Sequence, residues 1–168
     1  MSDLASLLAA FDDVMAGTRR TIERLPPDRL DFRPHPRSFS AGDLATHLSR
    51  LPSWTHGVIG QESYDVAPNE TGGPPPPRPS TLAEIVAQFD KNAAAARAAL
   101  AACTAATLAA PWSLRRGSTV LRTMTRGEAM RVYVLDHAIH HRGQLTVTLR
   151  LLDAPVPALF GASADERA

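Results

Sequence analysis

Cysteine is all but missing from this chain: Cys103 stands alone, so no internal disulfide can form. It lies in an alanine-rich helical pattern, where a small buried thiol is its expected role. Long apolar runs are missing too, and no stretch approaches the roughly 20 residues that would span a bilayer. The N-terminus opens Met1-Ser2-Asp3 without a basic stretch, and its apolar run is cut by Asp12-Asp13, so a cytoplasmic protein without a secretory leader is expected. Basic runs are absent. Eighteen basic residues against seventeen acidic leave a net charge of +1, and the arginines are scattered, which speaks against a nucleic-acid partner. What remains is ordinary globular composition, and 168 residues suit one domain with a real core, spanning 1–168.

Helical periodicity is what the chain has. From about Asp3 to Leu25, the residues Leu4, Leu8, Phe11, Met15, Thr18, Ile22 and Leu25 alternate steps of three and four, with Ser2 or Asp3 as cap and Pro26-Pro27 as stop. Asp28 to Phe39, holding Pro34 and Pro36, reads as a loop that exposes His35. Ser40-Ala41-Gly42-Asp43 resembles a capping box and opens a second helix, whose seam is Leu44, His47, Leu51, Trp54 and Val58, with a kink or break after Leu51 at Pro52. Gln61 to Pro79, with Gly72-Gly73 and the prolines 74–77, reads as an extended crossover, with a lid as the alternative. Thr81-Leu82-Ala83-Glu84 caps a third helix running to about Thr107. Ala110 to Thr123 is a loop with room for a short hairpin, and the last helix runs from Thr125 to about Leu152. Four long amphipathic segments with almost no strand signal predict an all-α fold, a four-helix bundle with long crossover loops.

The last helix carries Asp136-His137-Ala138-Ile139-His140-His141-Arg142-Gly143-Gln144-Leu145. Residues four apart sit about 40° apart on one helix face, so His137 and His141 direct their rings at one point. Both lie on the stripe Met130, Val134, His137, His141, Gln144, Thr148 and Leu152, whereas His140 is turned away. His47 holds a seam position on the second helix, and His56, nine residues on, faces the other way. Imidazoles taken out of water need partners, and a divalent metal would satisfy all three at once. A set of three histidines leaves coordination positions open, as a catalytic site requires. The spacing holds no Glu between its histidines, so a peptidase lacks its general base. Trp54 and Tyr133 are candidate pocket walls, with plain core packing as their ordinary alternative. Asp136 and Gln144 are placed to hydrogen-bond ligand nitrogens as outer partners.

The histidine run resembles the H-x-x-H-H-R-G-Q segment of the DinB/YfiT-like superfamily of four-helix-bundle metalloenzymes. Ala41 to Leu48 resembles that superfamily's second helix with its single histidine, and Pro155 to Asp165 its Pro-rich tail. The resemblance implies a bundle that is commonly a homodimer, with Val156, Leu159 and Phe160 as candidate contacts and a tail folded back on its own bundle as the alternative. It implies a divalent ion such as Zn²⁺ or Ni²⁺ on His47, His137 and His141. It also implies thiol S-transferase chemistry on a small-molecule substrate, with bacillithiol, mycothiol or glutathione as the thiol. A metal-dependent hydrolase is the alternative, and a non-catalytic stress protein that binds metal or a small ligand is a third reading.

Overall fold

The computed structural model describes residues 4–66 and 78–167. The first cap, at Ser2 or Asp3, and the Gly72–Pro77 part of the crossover lie outside the described residues. Helix α1, Leu4–Glu23, buries Leu7, Phe11, Val14, Met15, Thr18 and Ile22 along one stripe, as the spacing requires. Its buried threonines donate back to helix carbonyls, Thr18 to Val14 at 2.7 Å and Thr21 to Gly17 at 2.8 Å, so neither hydroxyl is orphaned. Helix α2, Ala41–Arg50, starts where Ser40 Oγ accepts the Asp43 N–H at 3.0 Å, a cap worth about 1 kcal/mol. Pro52 has no N–H to continue the helix, and the chain passes through one 3₁₀ turn, Leu51–Ser53, into α3, Trp54–Gly60. The break expected after Leu51 is there.

Helix α4, Leu82–Ala101, is capped by Thr81 but stops six residues short of the expected Thr107. The reason is a second cap. Thr104 Oγ1 accepts the Thr107 N–H at 3.0 Å and starts a separate helix, α5, Ala105–Ala109.

A small sheet corrects the expectation of a purely helical chain. Strand β1, Ser63–Asp65, runs parallel to β2, Pro111–Arg116, and β2 pairs antiparallel with β3, Thr119–Thr125. The segment expected as a loop with room for a short hairpin does form one, turning at Gly117, whose φ of +57° suits glycine. The Asp65 carboxylate accepts the Gly117 N–H and ties β1 to that turn. Trp112, 1% exposed, anchors the hairpin by packing its ring 5.6 Å from that of Tyr133. β3 is mostly exposed, so the two-residue alternation that betrays a half-buried strand is missing from its sequence.

The last helical rod opens with a capping box, Thr125 with Glu128, and comprises α6, Arg126–Met130, a π turn, Arg131–Asp136, and α7, His137–Leu151. α1 packs on α4 and α7, and α2 packs on the same two helices. This arrangement sets the histidine of α2 against those of α7. The tail folds back along its own helices: Arg20 donates to the Ala158 carbonyl at 2.9 Å, Arg150 pairs with Asp165 at 2.6 Å, and Arg24 pairs with Glu166. Val156 packs against the core and Phe160 stays exposed. Among the described residues no helix is long and apolar enough to cross a membrane.

Candidate metal centre

His47 sits on α2 beside the buried residues Leu44, Ala45 and Leu48, and the helix is fastened to α4 from behind. Ser49 Oγ lies 2.7 Å from Gln88 Oε1, and Asn92 Nδ2 donates to the Ser49 carbonyl at 2.8 Å. His137 opens α7 directly after the π turn, with His141 one turn on. The three rings converge on their Nε2 atoms. His141 Nε2 is 2.9 Å and His47 Nε2 is 3.3 Å from His137 Nε2. A tetrahedral ion held at about 2.0–2.1 Å would set its ligand nitrogens roughly 3.3 Å apart, so the spacing suits such an ion.

The outer nitrogens tell the same story. His141 Nδ1 lies 2.8 Å from Gln144 Oε1, an acceptor, which places the proton on Nδ1 and leaves Nε2 with a lone pair. His137 Nδ1 is buried and makes no hydrogen bond of ordinary geometry, although the Tyr133 carbonyl one turn back is near enough to favour its protonated form. If His137 carried its proton on Nε2 to meet His141, its buried Nδ1 lone pair would face that carbonyl. A cation shared by the three Nε2 atoms removes the conflict, because His137 can then be protonated on Nδ1.

The rings are neutral near pH 7. Burial, then the His141 and His137 rings and the Arg50 guanidinium, push His47 down to about 4. Burial first, and then neighbouring histidines, also lower His137 and His141, against the raising effects of the Tyr133 carbonyl and Gln144. Neutral imidazoles are what a metal needs.

Of the other expected residues, Trp54 reaches the centre, its ring edge-on to His137 at 5.9 Å. Tyr133 sends its ring to Trp112, so its backbone is what reaches His137. Asp136 is half exposed, with its carboxylate 3.6 Å from Arg131 Nε, and the structure does not bring it to the ligand nitrogens. His140 and His56 are exposed; the His140 ring touches His141 but stays outside the converging group. Two aromatic neighbours were missed by sequence reasoning. Phe39 stacks on His47 at 6.1 Å and meets His141 edge-on at 6.3 Å; Tyr64 stacks on Trp54 at 4.9 Å. Phe39 immediately precedes the cap residue Ser40, which was a usable signal; Tyr64 lay in an apparent crossover and had none. The π turn was missed as well, since a single widened turn leaves the apolar stripe almost intact.

A mainly helical fold in which one helix supplies one histidine and another supplies two, together able to hold a metal ion, defines a class of helical metal-site proteins. The DinB family model matches residues 1–166, and the chain belongs to the DinB family. Its fold is similar to that of a DinB-like protein from Bacillus cereus ATCC 10987, at a TM-score of 0.71 and 21% identity over 92% of this chain and 95% of that one. It is also similar to a DinB-like protein from Bacillus subtilis, at a TM-score of 0.68 and 18% identity over 90% of this chain and 94% of that one. No curated protein matches the chain significantly.

Proposed function

We propose that this protein is a metal-dependent thiol S-transferase acting on small electrophiles, with His47, His137 and His141 as ligands of one Zn²⁺ or Ni²⁺ ion. The observation that carries the reading is the convergence of three neutral Nε2 atoms, with no Asp, Glu or Cys joining them among the described residues. Three neutral ligands leave the ion its full charge and open positions, and such an ion lowers the pKa of a thiol or a water brought to it. The chain's own residues do the positioning. Gln144 fixes the tautomer of His141, and the Trp54 ring packs edge-on against His137.

An external thiol is favoured over water because no carboxylate stands by the rings as a general base among the described residues. Cys103 is not the nucleophile, since burial pushes its thiol up and its Sγ points to the Ala99 carbonyl. We read α1, α4, α2 and α7 as a four-helix bundle elaborated by the sheet, in one domain that forms a homodimer.

The test is turnover of a halogenated aromatic or a strained epoxide by metal-loaded protein, with bacillithiol, mycothiol or glutathione, against a His141→Ala control. Turnover that needs both metal and thiol is expected. Turnover without thiol would point to a hydrolase, and equal rates in the control would show that the site is not used. Tight metal binding without turnover across the panel would favour a non-catalytic binder.

A further inference from the structure

Phe39 is 52% exposed yet lies against two of the three histidines, stacked on His47 with an interplanar angle of 10° and edge-on to His141. Leaving that much phenyl surface in water forgoes burial worth about 25 cal/mol per Å². The backbone that carries the ring is nevertheless held in place. Arg33 donates to the Ser38 carbonyl at 2.8 Å, Ala41 N–H to the Phe32 carbonyl at 2.8 Å, and Gly42 N–H to the Leu30 carbonyl at 2.7 Å, pinning both ends of the segment. Gly42 is needed for this close approach, because a Cβ there would sit 3.0 Å from both Leu30 Cβ and its carbonyl oxygen. Pro34 and Pro36 stiffen the loop further. On the His137 side, Trp54 is half-buried and backed by the stacked ring of Tyr64. The converging nitrogens are thus bordered by two aromatic walls, one of them open to solvent.

We infer that Phe39 and Trp54 form a recognition surface for a planar, conjugated ring on the substrate, and that Phe39 is the specificity-determining residue. The inference rests on the metal reading above and narrows its substrate class. A flat π face can stack on or meet the edge of a fixed aromatic ring, gaining interaction beyond the area it buries, and a saturated ring of the same bulk cannot. Because the backbone carrying Phe39 is already pinned, little backbone entropy is lost when the ring docks.

The test uses the Co²⁺-loaded full chain and reads ligand binding from its visible spectrum. The probes are benzohydroxamate and cyclohexanecarbohydroxamate, which share a metal-binding head and differ in planarity. The parent is expected to favour the aromatic probe by about threefold to tenfold, the range expected for a ring pair. Phe39→Leu, which keeps apolar bulk without a π face, and Phe39→Ala should both bring the ratio toward parity, whereas Phe39→Trp should keep it. Co²⁺ uptake in the same spectra checks the centre in every variant. An unchanged ratio in Phe39→Leu and Phe39→Ala, or no preference in the parent, would overturn the inference while leaving the metal reading standing. Failure of the parent to take up Co²⁺ would overturn both.

Discussion

His141 and Arg142 are neighbours on α7 and solve the problem of a polar side chain withdrawn from water in opposite ways. His141 turns one nitrogen to Gln144 and aims the other at His137 Nε2, in a group that could hold an ion from outside the chain. Arg142 is only 3% exposed, and the chain supplies its partners. Its Nη1 donates to the Val14 carbonyl at 3.2 Å, its guanidinium lies 5.2 Å from the centre of the Phe160 ring, and it fills the notch left by Gly17. No carboxylate pairs with it among the described residues, and burial, followed by the charge of Arg20, lowers its pKa. The contrast separates two jobs within one motif. The histidines make a centre that could hold an ion; the arginine locks α7 to α1 and to the tail.

The largest effect should come from the ligands. His47→Ala and His137→Ala should weaken metal binding equally, since each leaves two ligands, and by more than the roughly 10–100-fold that outer partners command. His56→Ala and His140→Ala should leave it unchanged. Competitive titration with a chromophoric chelator measures all four, and a requirement for His140 with His141 dispensable would mean that the phasing of α7 is wrong. Gln144→Ala should fall within that roughly 10–100-fold range, because it releases the tautomer and orientation of His141 without removing a ligand.

On the other side of the comparison, Arg142→Ala should cost about 1.5–3 kcal/mol of folding stability, the worth of a charged hydrogen bond, while metal stoichiometry stays at one. Arg142→Met, which keeps volume and removes the buried charge, should recover much of the loss in thermal unfolding. Gly17→Ala is a milder intrusion into the same slot. Its Cβ would meet Arg142 Nη1 at 2.5 Å and Leu159 Cδ2 at 3.2 Å, an overpacking cost of about 1–3 kcal/mol, offset by about 1 kcal/mol of helix propensity.

The smallest and most gradual effect should appear with pH. His47 titrates near 4 in the folded protein, below the ordinary histidine value of about 6.5 in the unfolded chain. Above about pH 6.5 both states hold it neutral and the shift contributes nothing further; as pH falls from there toward 4, the unfolded chain takes up a proton that the folded one refuses, and stability declines. Exposure of the rings screens this effect. Melting temperatures of metal-free protein across that window should fall less in His47→Gln than in the parent, and added metal should shift the decline to lower pH.

Much of this was legible from local rules. Ser40 and Thr81 cap the helices they were expected to cap, the last helix starts after Thr125 as expected, and Pro52 breaks the chain where its missing N–H demands. Thr104 obeys the same rule and was overlooked, because an alanine-rich stretch on both sides hid the restart of the helix. The hairpin was only half visible: β-branched residues marked Thr119-Val120, but exposure of β3 erased its alternation. Nothing local distinguished Ser63–Asp65 from a crossover, since a three-residue strand exists only by virtue of its partner.

The sequence by itself determined that His137 and His141 share a helix face, because a four-residue step and a 3.6-residue turn are properties of one segment and need no neighbour. It also determined where the helices begin, through side chains that bond to backbone two or three residues away. Only the tertiary structure decided that His47, among the remaining histidines, joins that pair, that Phe39 and Trp54 border it, and that Arg142 is buried against α1. Those placements depend on how α2 and α1 dock against α7, and docking is chosen by the summed packing of residues far apart in the chain, which no single periodicity encodes.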